Sequence, residues 1–331
     1  MRALPILGVV LLLAQSAAAQ PTPGIYAGPQ QLVALQDGHR LNLVCTGQGS
    51  PTVILTAGMG DWSLSWNAVQ TPLSGKTRTC AWDRAGYGFS DGSNQAQSAT
   101  NMAEDLYALL TTAHVAPPYI MVAHSAGVFE TMLFTDRHRA DVAGMVLVDP
   151  SLPDMFQRIA TISPLAATLL RADTANRLAA FRRCAADPDH AAAADSNICF
   201  HLPAYAGALT GTLTALDHMS ARLATKASLY EQFEANARAL ASGSRSYGNM
   251  PLMILTSQKD PLSTLPVEQA ARTAALSALW RTGHDELAAL STSGANSLTE
   301  GTGHQIQLEK PDAVISAVDQ VVDDVRKMEV H

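Results

Sequence analysis

The chain has 331 residues, 47% hydrophobic and 15% charged, an ordinary globular composition that can fill a sizeable core. Its formal net charge is −7, and no run of Lys or Arg is long enough to grip phosphates, which argues against nucleic acid as a partner. Four cysteines, with no CxxC and no Cys/His spacing suited to metal, give no reason to expect a metal ion or a cofactor.

Met1 and Arg2 form a short positive start, followed by an apolar stretch from Ala3 to about Ala14 and the small-residue run Ser16-Ala17-Ala18-Ala19. This pattern predicts a leader over residues 1–19, cleaved before Gln20, and so an exported protein, periplasmic or secreted. The apolar run falls short of the ~20 residues that a spanning helix needs, and no Cys follows it as a lipid-attachment site, so no stable membrane anchor is expected. In an exported chain, an even number of cysteines favours disulfides over free core thiols.

From Gln31 onward, strand-like runs alternate with helical stretches. Leu41–Cys45 and Pro51–Thr56 read as strands separated by a turn-rich Thr46–Ser50, and Thr77–Trp82 reads as a third strand entering a Gly-rich loop. Thr100–Thr112 carries Met102, Leu106, Leu109 and Leu110 at helical spacing. Pro118–Ala123 and Ala143–Val148 are apolar runs of the kind buried on both faces of a sheet, with a helix predicted between them over Ala126–His138. Strands alternating with helices imply crossover connections and a mostly parallel sheet.

The alternation stops from about Leu152 to Gly248, where Ala-rich, helix-favouring sequence (Leu165–Ala180, Leu213–Leu223, Ala227–Leu240) has no convincing strand. Pro251–Thr256 restores the buried-strand pattern, Asn296–Thr299 is a weaker last strand, and Pro311–Met328 closes the chain as a helix. The expected organisation is one α/β domain over residues 20–151 and 249–331, interrupted by a helical insertion over 152–248.

The segment that carries chemistry is Val122-Ala123-His124-Ser125-Ala126-Gly127, directly between a predicted strand and a predicted helix. A Ser with a small residue two positions away on each side can sit on a sharp strand-to-helix turn that pushes its hydroxyl into a cleft. The following helix aims its N-terminal amides and positive dipole end at the same place.

With this elbow the chain resembles the α/β-hydrolase superfamily, from roughly Leu41 to the C-terminal helix. Asp83-Arg84-Ala85-Gly86-Tyr87-Gly88-Phe89-Ser90 is similar to the family's Asp-Arg-x-Gly-x-Gly-x-Ser loop. Thr56-Ala57-Gly58-Met59-Gly60 sits where the family carries its oxyanion turn, and Gly301-Thr302-Gly303-His304 resembles its catalytic-histidine loop. Ala123 stands where Gly is more usual.

The resemblance implies Ser125 as nucleophile, His304 as base, and an acid between them in chain order. That acid is expected at Asp260, after the strand Pro251–Thr256, with an ordinary turn Asp before Pro as the plain reading of the same residue. Asp149, at the end of the preceding strand, is the alternative acid and Asp154 a weaker one, while Asp83 matches a structural loop Asp. His124 belongs to the elbow itself. His284 is the rival base, set back by its place in a helical stretch with Trp280 and Leu287, and the remaining histidines are scattered. The oxyanion is expected on the backbone N–H groups of Met59 and Ala126. Trp62 and Trp66 are both candidates to wall the substrate pocket, with Trp62 taken as the substrate-binding residue and core packing the plainer reading for at least one of the two.

These residues imply hydrolysis of a small to medium, fairly apolar carboxylic ester through an acyl-enzyme, with the insertion as a lid and no obligate protein partner. An amidase or aminopeptidase, a lactonase, a perhydrolase and a binding protein that has lost activity are the alternatives. Epoxide hydrolases and haloalkane dehalogenases of the family normally carry Asp as nucleophile, which the Ser counts against. The family's sheet order makes the second and fourth strands neighbours, which implies a Cys45–Cys80 disulfide, reduced core cysteines being the other reading. Cys184 and Cys199 flank the turn-rich Asp187–Asn197 and are expected to pair as a staple in the insertion.

Overall fold

In the computed structural model, residues 24–241 and 245–329 are described. The expected leader over 1–19, its cleavage site before Gln20 included, lies outside them. Eight strands form one sheet: β1 (Gln31–Ala34), β2 (Arg40–Thr46), β3 (Thr52–Thr56), β4 (Thr79–Trp82), β5 (Tyr119–His124), β6 (Val142–Val148), β7 (Leu252–Ser257) and β8 (Gly294–Thr299). Their spatial order is β1-β2-β4-β3-β5-β6-β7-β8. β2 pairs antiparallel with both of its neighbours, and every other pairing from β4 to β8 is parallel.

Strand alternation divides the core into two layers. Met121 and Ala123 of β5 face α2 (Ala99–Thr112), α3 (Val128–Arg137) and α9 (Ala270–Ala288), joining Leu106, Leu109, Phe129, Met132, Leu276 and Trp280. Ile120 and Val122 face the other way, onto Trp66, onto Val69 and Leu73 of α1 (Asn67–Leu73), and onto the valines of the C-terminal helix α11 (Pro311–Glu329). In α11, Val314, Ala317, Val318, Val321 and Val325 form the buried stripe that their helical spacing predicts. A four-residue helix, α10 (Ile306–Glu309), precedes it.

Between β6 and β7 the chain is helical: α4 (Met155–Ile162), α5 (Pro164–Ala186), α6 (Ala193–Cys199), α7 (Thr210–Asp217) and α8 (Ser220–Ala239). The stretch expected as one helix over Leu213–Leu223 is two. Met219 is extended, and the break turns Asp217 toward Arg222 at 3.1 Å and Lys226 at 2.7 Å, all three buried.

The helix α5 packs along α8, and α8 is fastened to the sheet domain along one side. Arg222 Nη2 donates to Gly88 O at 2.9 Å, Thr225 Oγ1 accepts from Ser93 N at 2.8 Å, and Asn236 Oδ1 accepts from Ala99 N at 2.7 Å. The insertion is therefore anchored on the Asp83–Ser90 loop and on the start of α2.

Both expected cysteine pairs lie at disulfide distance. Cys45 and Cys80 face each other across β2 and β4, with sulfurs 2.07 Å apart, and Cys184 of α5 meets Cys199 of α6 at 2.24 Å. Among the described residues, no helix is long and apolar enough to cross a membrane.

Candidate active site

The strand β5 runs without a loop into a single 3-10 turn, Ser125–Gly127, and then into α3. Such an abrupt reversal forces Ser125 to φ +51°, a left-handed conformation that side chains rarely adopt and that packing on both sides must hold. Gly127 makes the turn possible. A Cβ there would lie 2.6 Å from Ala57 O and 3.1 Å from both Thr56 O and Arg84 Nη2, so only glycine lets the elbow seat against β3.

His304, in the loop after β8, meets this serine. Its Nε2 lies 2.8 Å from Ser125 Oγ, and its Nδ1 lies 2.7 Å from Asp149 Oδ2. This corrects the expectation that Asp260 is the partner carboxylate. Asp260 caps the turn Pro261–Thr264, its Oδ1 accepting from Ser263 N at 2.7 Å, so its carboxylate completes a local backbone need. Asp149 instead stands at the end of β6, which lies beside β5 in the sheet, and Ser151 N donates to Ser125 O at 3.1 Å. Asp154 is further along, its backbone N bonded to Ala237 O at 2.9 Å.

Asp149 is fully buried and accepts four hydrogen bonds. Oδ1 takes Ser257 N at 2.8 Å and Trp280 Nε1 at 2.9 Å; Oδ2 takes Ser257 Oγ at 2.9 Å and the His304 ring. Burial alone would raise its pKa. The bond and charge of His304, the nearby His284 and the Ser257 amide outweigh burial and leave it below the usual carboxylate value, so it is held ionised.

The other two histidines near the site are neutral supports. Burial lowers the His284 pKa, and its ring bridges Thr256 Oγ1 at 2.7 Å and Pro150 O at 2.9 Å, behind the Asp149 carboxylate rather than at the serine. Burial, reinforced by the charge of His304, lowers His124 to about 3. A neutral His124 ring places its proton on Nε2 and donates to His304 O at 2.9 Å, holding the histidine loop against the elbow.

The turn after β3 closes the other side. A Cβ on Gly58 would lie 2.6 Å from His124 Nδ1 and 3.3 Å from Ser125 Cβ, so the backbone carrying Met59 passes in contact with the serine. Among the described residues, no backbone or side-chain oxygen accepts from the amide of Met59 or of Ala126. Two N–H groups beside a hydroxyl are what a developing oxyanion requires.

Trp62 is 3% exposed and packs with Tyr26, Leu64, Tyr87 and Met102, and with Ala206 and Leu209 of the insertion. It lies where sheet domain and insertion meet, its ring centroid 5.7 Å from that of Tyr205. Trp66 is fully buried in the layer that α1 and α11 cover. Asp83 is a buried bracket for its loop, accepting from Asn42 Nδ2 and Ser63 N, each at 2.8 Å, and from Phe89 N at 3.0 Å.

Asp61 has no counterpart in the sequence reading. Tyr205 of the insertion donates to it, and burial raises its pKa against the opposing effects of Tyr205, Gln305, His304 and Arg84. A lone Asp after Met59-Gly60 carries no sequence signal, because its partner is 144 residues away. Among the described residues, no cluster of three or more His, Cys, Asp or Glu could hold a metal ion.

A hydroxyl bonded to an imidazole whose far nitrogen is held by a buried carboxylate is an arrangement that can activate a nucleophile. A profile described as the Alpha/beta hydrolase family matches residues 53–317. Among curated proteins, an uncharacterized Bacillus subtilis protein, YqjL, is 35% identical over 108 residues, which cover 33% of this chain and 43% of that protein. An uncharacterized Schizosaccharomyces pombe protein, C23C11.06c, is 31% identical over 155 residues, 38% of this chain and 29% of that protein. The matched segments thus span less than half the length of either relative.

Among solved structures, a thermophilic esterase from Thermogutta terrifontis superposes with a TM-score of 0.59 at 18% identity, covering 89% of this chain and 99% of the esterase. An epoxide hydrolase from Bacillus megaterium gives 0.62 at 15% identity, covering 88% and 100%. An enol-lactonase from Burkholderia xenovorans gives 0.56 at 15% identity, also covering 88% and 100%. At these identities the likeness is one of fold.

Proposed function

This chain belongs to the alpha/beta hydrolase family, and we propose that within it the protein is an exported serine esterase that cleaves carboxylic esters through an acyl-enzyme. The observation that carries the reading is the unbroken chain of hydrogen bonds from Ser125 Oγ through His304 to Asp149.

In this mechanism Ser125 Oγ attacks the ester carbonyl carbon while His304 Nε2 takes its proton. Asp149 keeps the remaining imidazole proton on Nδ1 and stabilises the imidazolium. The tetrahedral oxyanion is received by the amides of Met59 and Ala126. Collapse expels the alcohol, protonated by His304, and a water activated by the same nitrogen releases the acid.

The serine itself separates this reading from epoxide opening. A carboxylate nucleophile forms an ester on attacking an epoxide, which water can then cleave. A serine oxygen would form an ether, and the enzyme would stop after one turnover. Export is supported by the leader-like start of the chain and by two cysteine pairs at disulfide distance, which suit an oxidising compartment. The inserted helices form the roof beside Trp62 and Tyr205, and their apolar side chains favour an uncharged ester of modest size.

Labelling by a fluorophosphonate probe tests the reading directly, since a binding protein without an activated serine does not react. A panel of p-nitrophenyl esters of increasing acyl length, with lactones and aminoacyl amides alongside, then assigns the substrate class. Absence of labelling in folded protein, or turnover of amides in preference to every ester, would overturn it.

A further inference from the structure

Arg84 is a buried guanidinium, 4% exposed, whose nitrogens reach two different walls of the site. Its Nη1 donates to Gly58 O at 3.0 Å and its Nη2 to Ala57 O at 2.5 Å, both in the turn after β3. Its Nε donates to Glu130 Oε1 at 2.5 Å, and Glu130 lies fully buried in the first turn of α3, the helix that begins at the elbow. Nη2 also closes on the elbow at Gly127, where a Cβ would come within 3.1 Å of it. One planar cation therefore joins the segment carrying Met59 to the segment carrying Ala126.

We propose that Arg84 and Glu130 form a positioning pair that sets the orientation and spacing of the two oxyanion donors. The inference rests on the esterase reading above and deepens it. In a trans peptide the C=O of Gly58 and the N–H of Met59 lie in one plane and point in opposite directions. Fixing Gly58 O from one side with a charged donor aims the Met59 N–H to the other. Polarisation along the same peptide also makes that N–H a better donor.

Ala126 is positioned through α3, because Glu130 ties the helix to the same guanidinium. The fork geometry of Arg is essential: a Lys is a point charge that cannot hold two adjacent carbonyls and a carboxylate in one plane. Full burial of the pair also means that each group depends on the other, as an unpaired charge there would be strongly destabilising.

The test compares Arg84→Lys and Glu130→Gln with the wild type in hydrolysis of p-nitrophenyl butyrate. Two inhibitors of matching chain length are measured alongside. A trifluoromethyl ketone forms a Ser125 adduct bearing the oxyanion, and the corresponding secondary alcohol binds without forming one. Loss of an oxyanion donor outright costs about 10²–10³-fold in kcat, so a misaligned donor in Arg84→Lys is expected to cost roughly 10–100-fold, with KM moving less than about threefold. Ketone affinity falls in parallel with kcat, and alcohol affinity stays. Glu130→Gln keeps an acceptor but not the charge, and is expected to lose roughly 3–10-fold with the same pattern, which decides the matter if Arg84→Lys does not fold.

Folded variants that keep kcat and ketone affinity within about twofold of wild type would overturn the proposal, as would equal losses for ketone and alcohol, the mark of general collapse. A wild-type protein that neither labels with fluorophosphonate nor hydrolyses the ester would refute the esterase reading and this inference together. That outcome is recognisable before any variant is made.

Discussion

Replacing Asp149 by Asn isolates the role of the acid, because the surrounding donors dictate how the amide must sit. Oδ1 receives Ser257 N and Trp280 Nε1, two donors with no capacity to accept, so an NH2 group cannot occupy that position. The amide oxygen takes the Oδ1 place and the NH2 faces His304 Nδ1 at the 2.7 Å contact. That nitrogen must then accept, which moves the ring proton to Nε2, the atom facing Ser125 Oγ at 2.8 Å. A protonated Nε2 cannot take the serine proton.

The expected loss is about 10³–10⁴-fold in kcat, or roughly 4–5.5 kcal/mol of transition-state stabilisation, with the fold retained. Asp260→Asn keeps the oxygen that caps Ser263 N and is expected to stay within about threefold of wild type. The assay is steady-state hydrolysis of a p-nitrophenyl ester by protein shown to be folded by circular dichroism. Retention of more than about a tenth of kcat in Asp149→Asn, or a larger loss in Asp260→Asn, would refute the reasoning.

Ser125→Ala is expected to lower turnover by roughly 10⁴-fold or more and to abolish fluorophosphonate labelling, checked by mass spectrometry. Gly127→Ala places a Cβ 2.6 Å from Ala57 O, an overpacking expected to cost about 1–3 kcal/mol in urea denaturation. His124, lowered to about 3 when folded, takes up its proton in the unfolded chain first. Its contribution to stability is complete above the ordinary histidine range and is lost at up to about 1.4 kcal/mol per pH unit as the pH falls below it, so urea midpoints of His124→Gln should decline less steeply between roughly pH 6 and 4. Reduction of the Cys184–Cys199 pair, which closes a loop with a sequence separation of 15, is expected to cost about 3 kcal/mol, measured as the difference between wild type and Cys184→Ser/Cys199→Ser.

The elements most legible in the sequence are those whose signal is local. Apolar runs such as TVILT and YIMVAH report burial on both faces through composition alone, and the valine stripe of α11 reports its packed side through a 3.6-residue period. The elbow is legible for the same reason, since small residues around Ser125 answer to steric limits within a few positions. His304 follows from the likeness of Gly301-Thr302-Gly303-His304 to the family's histidine loop and from the family's chain order.

Only the tertiary structure decided which carboxylate meets His304. β6 and β7 are adjacent and parallel, so Asp149 and Asp260 both follow the same edge of the sheet, and chain order ranks either as the acid. The choice depends on where a loop 155 residues beyond Asp149 comes to rest, and on Ser257 and Trp280 arriving from two other elements to satisfy its oxygens. The same holds for Arg84, whose partners lie 26, 27 and 46 residues away, for the Asp61–Tyr205 contact, and for the break between α7 and α8 around buried Asp217. Periodicity and propensity measure what a residue's immediate neighbours require. A hydrogen bond between distant segments exists only after the sheet order and the loop paths have brought donor and acceptor within about 3 Å.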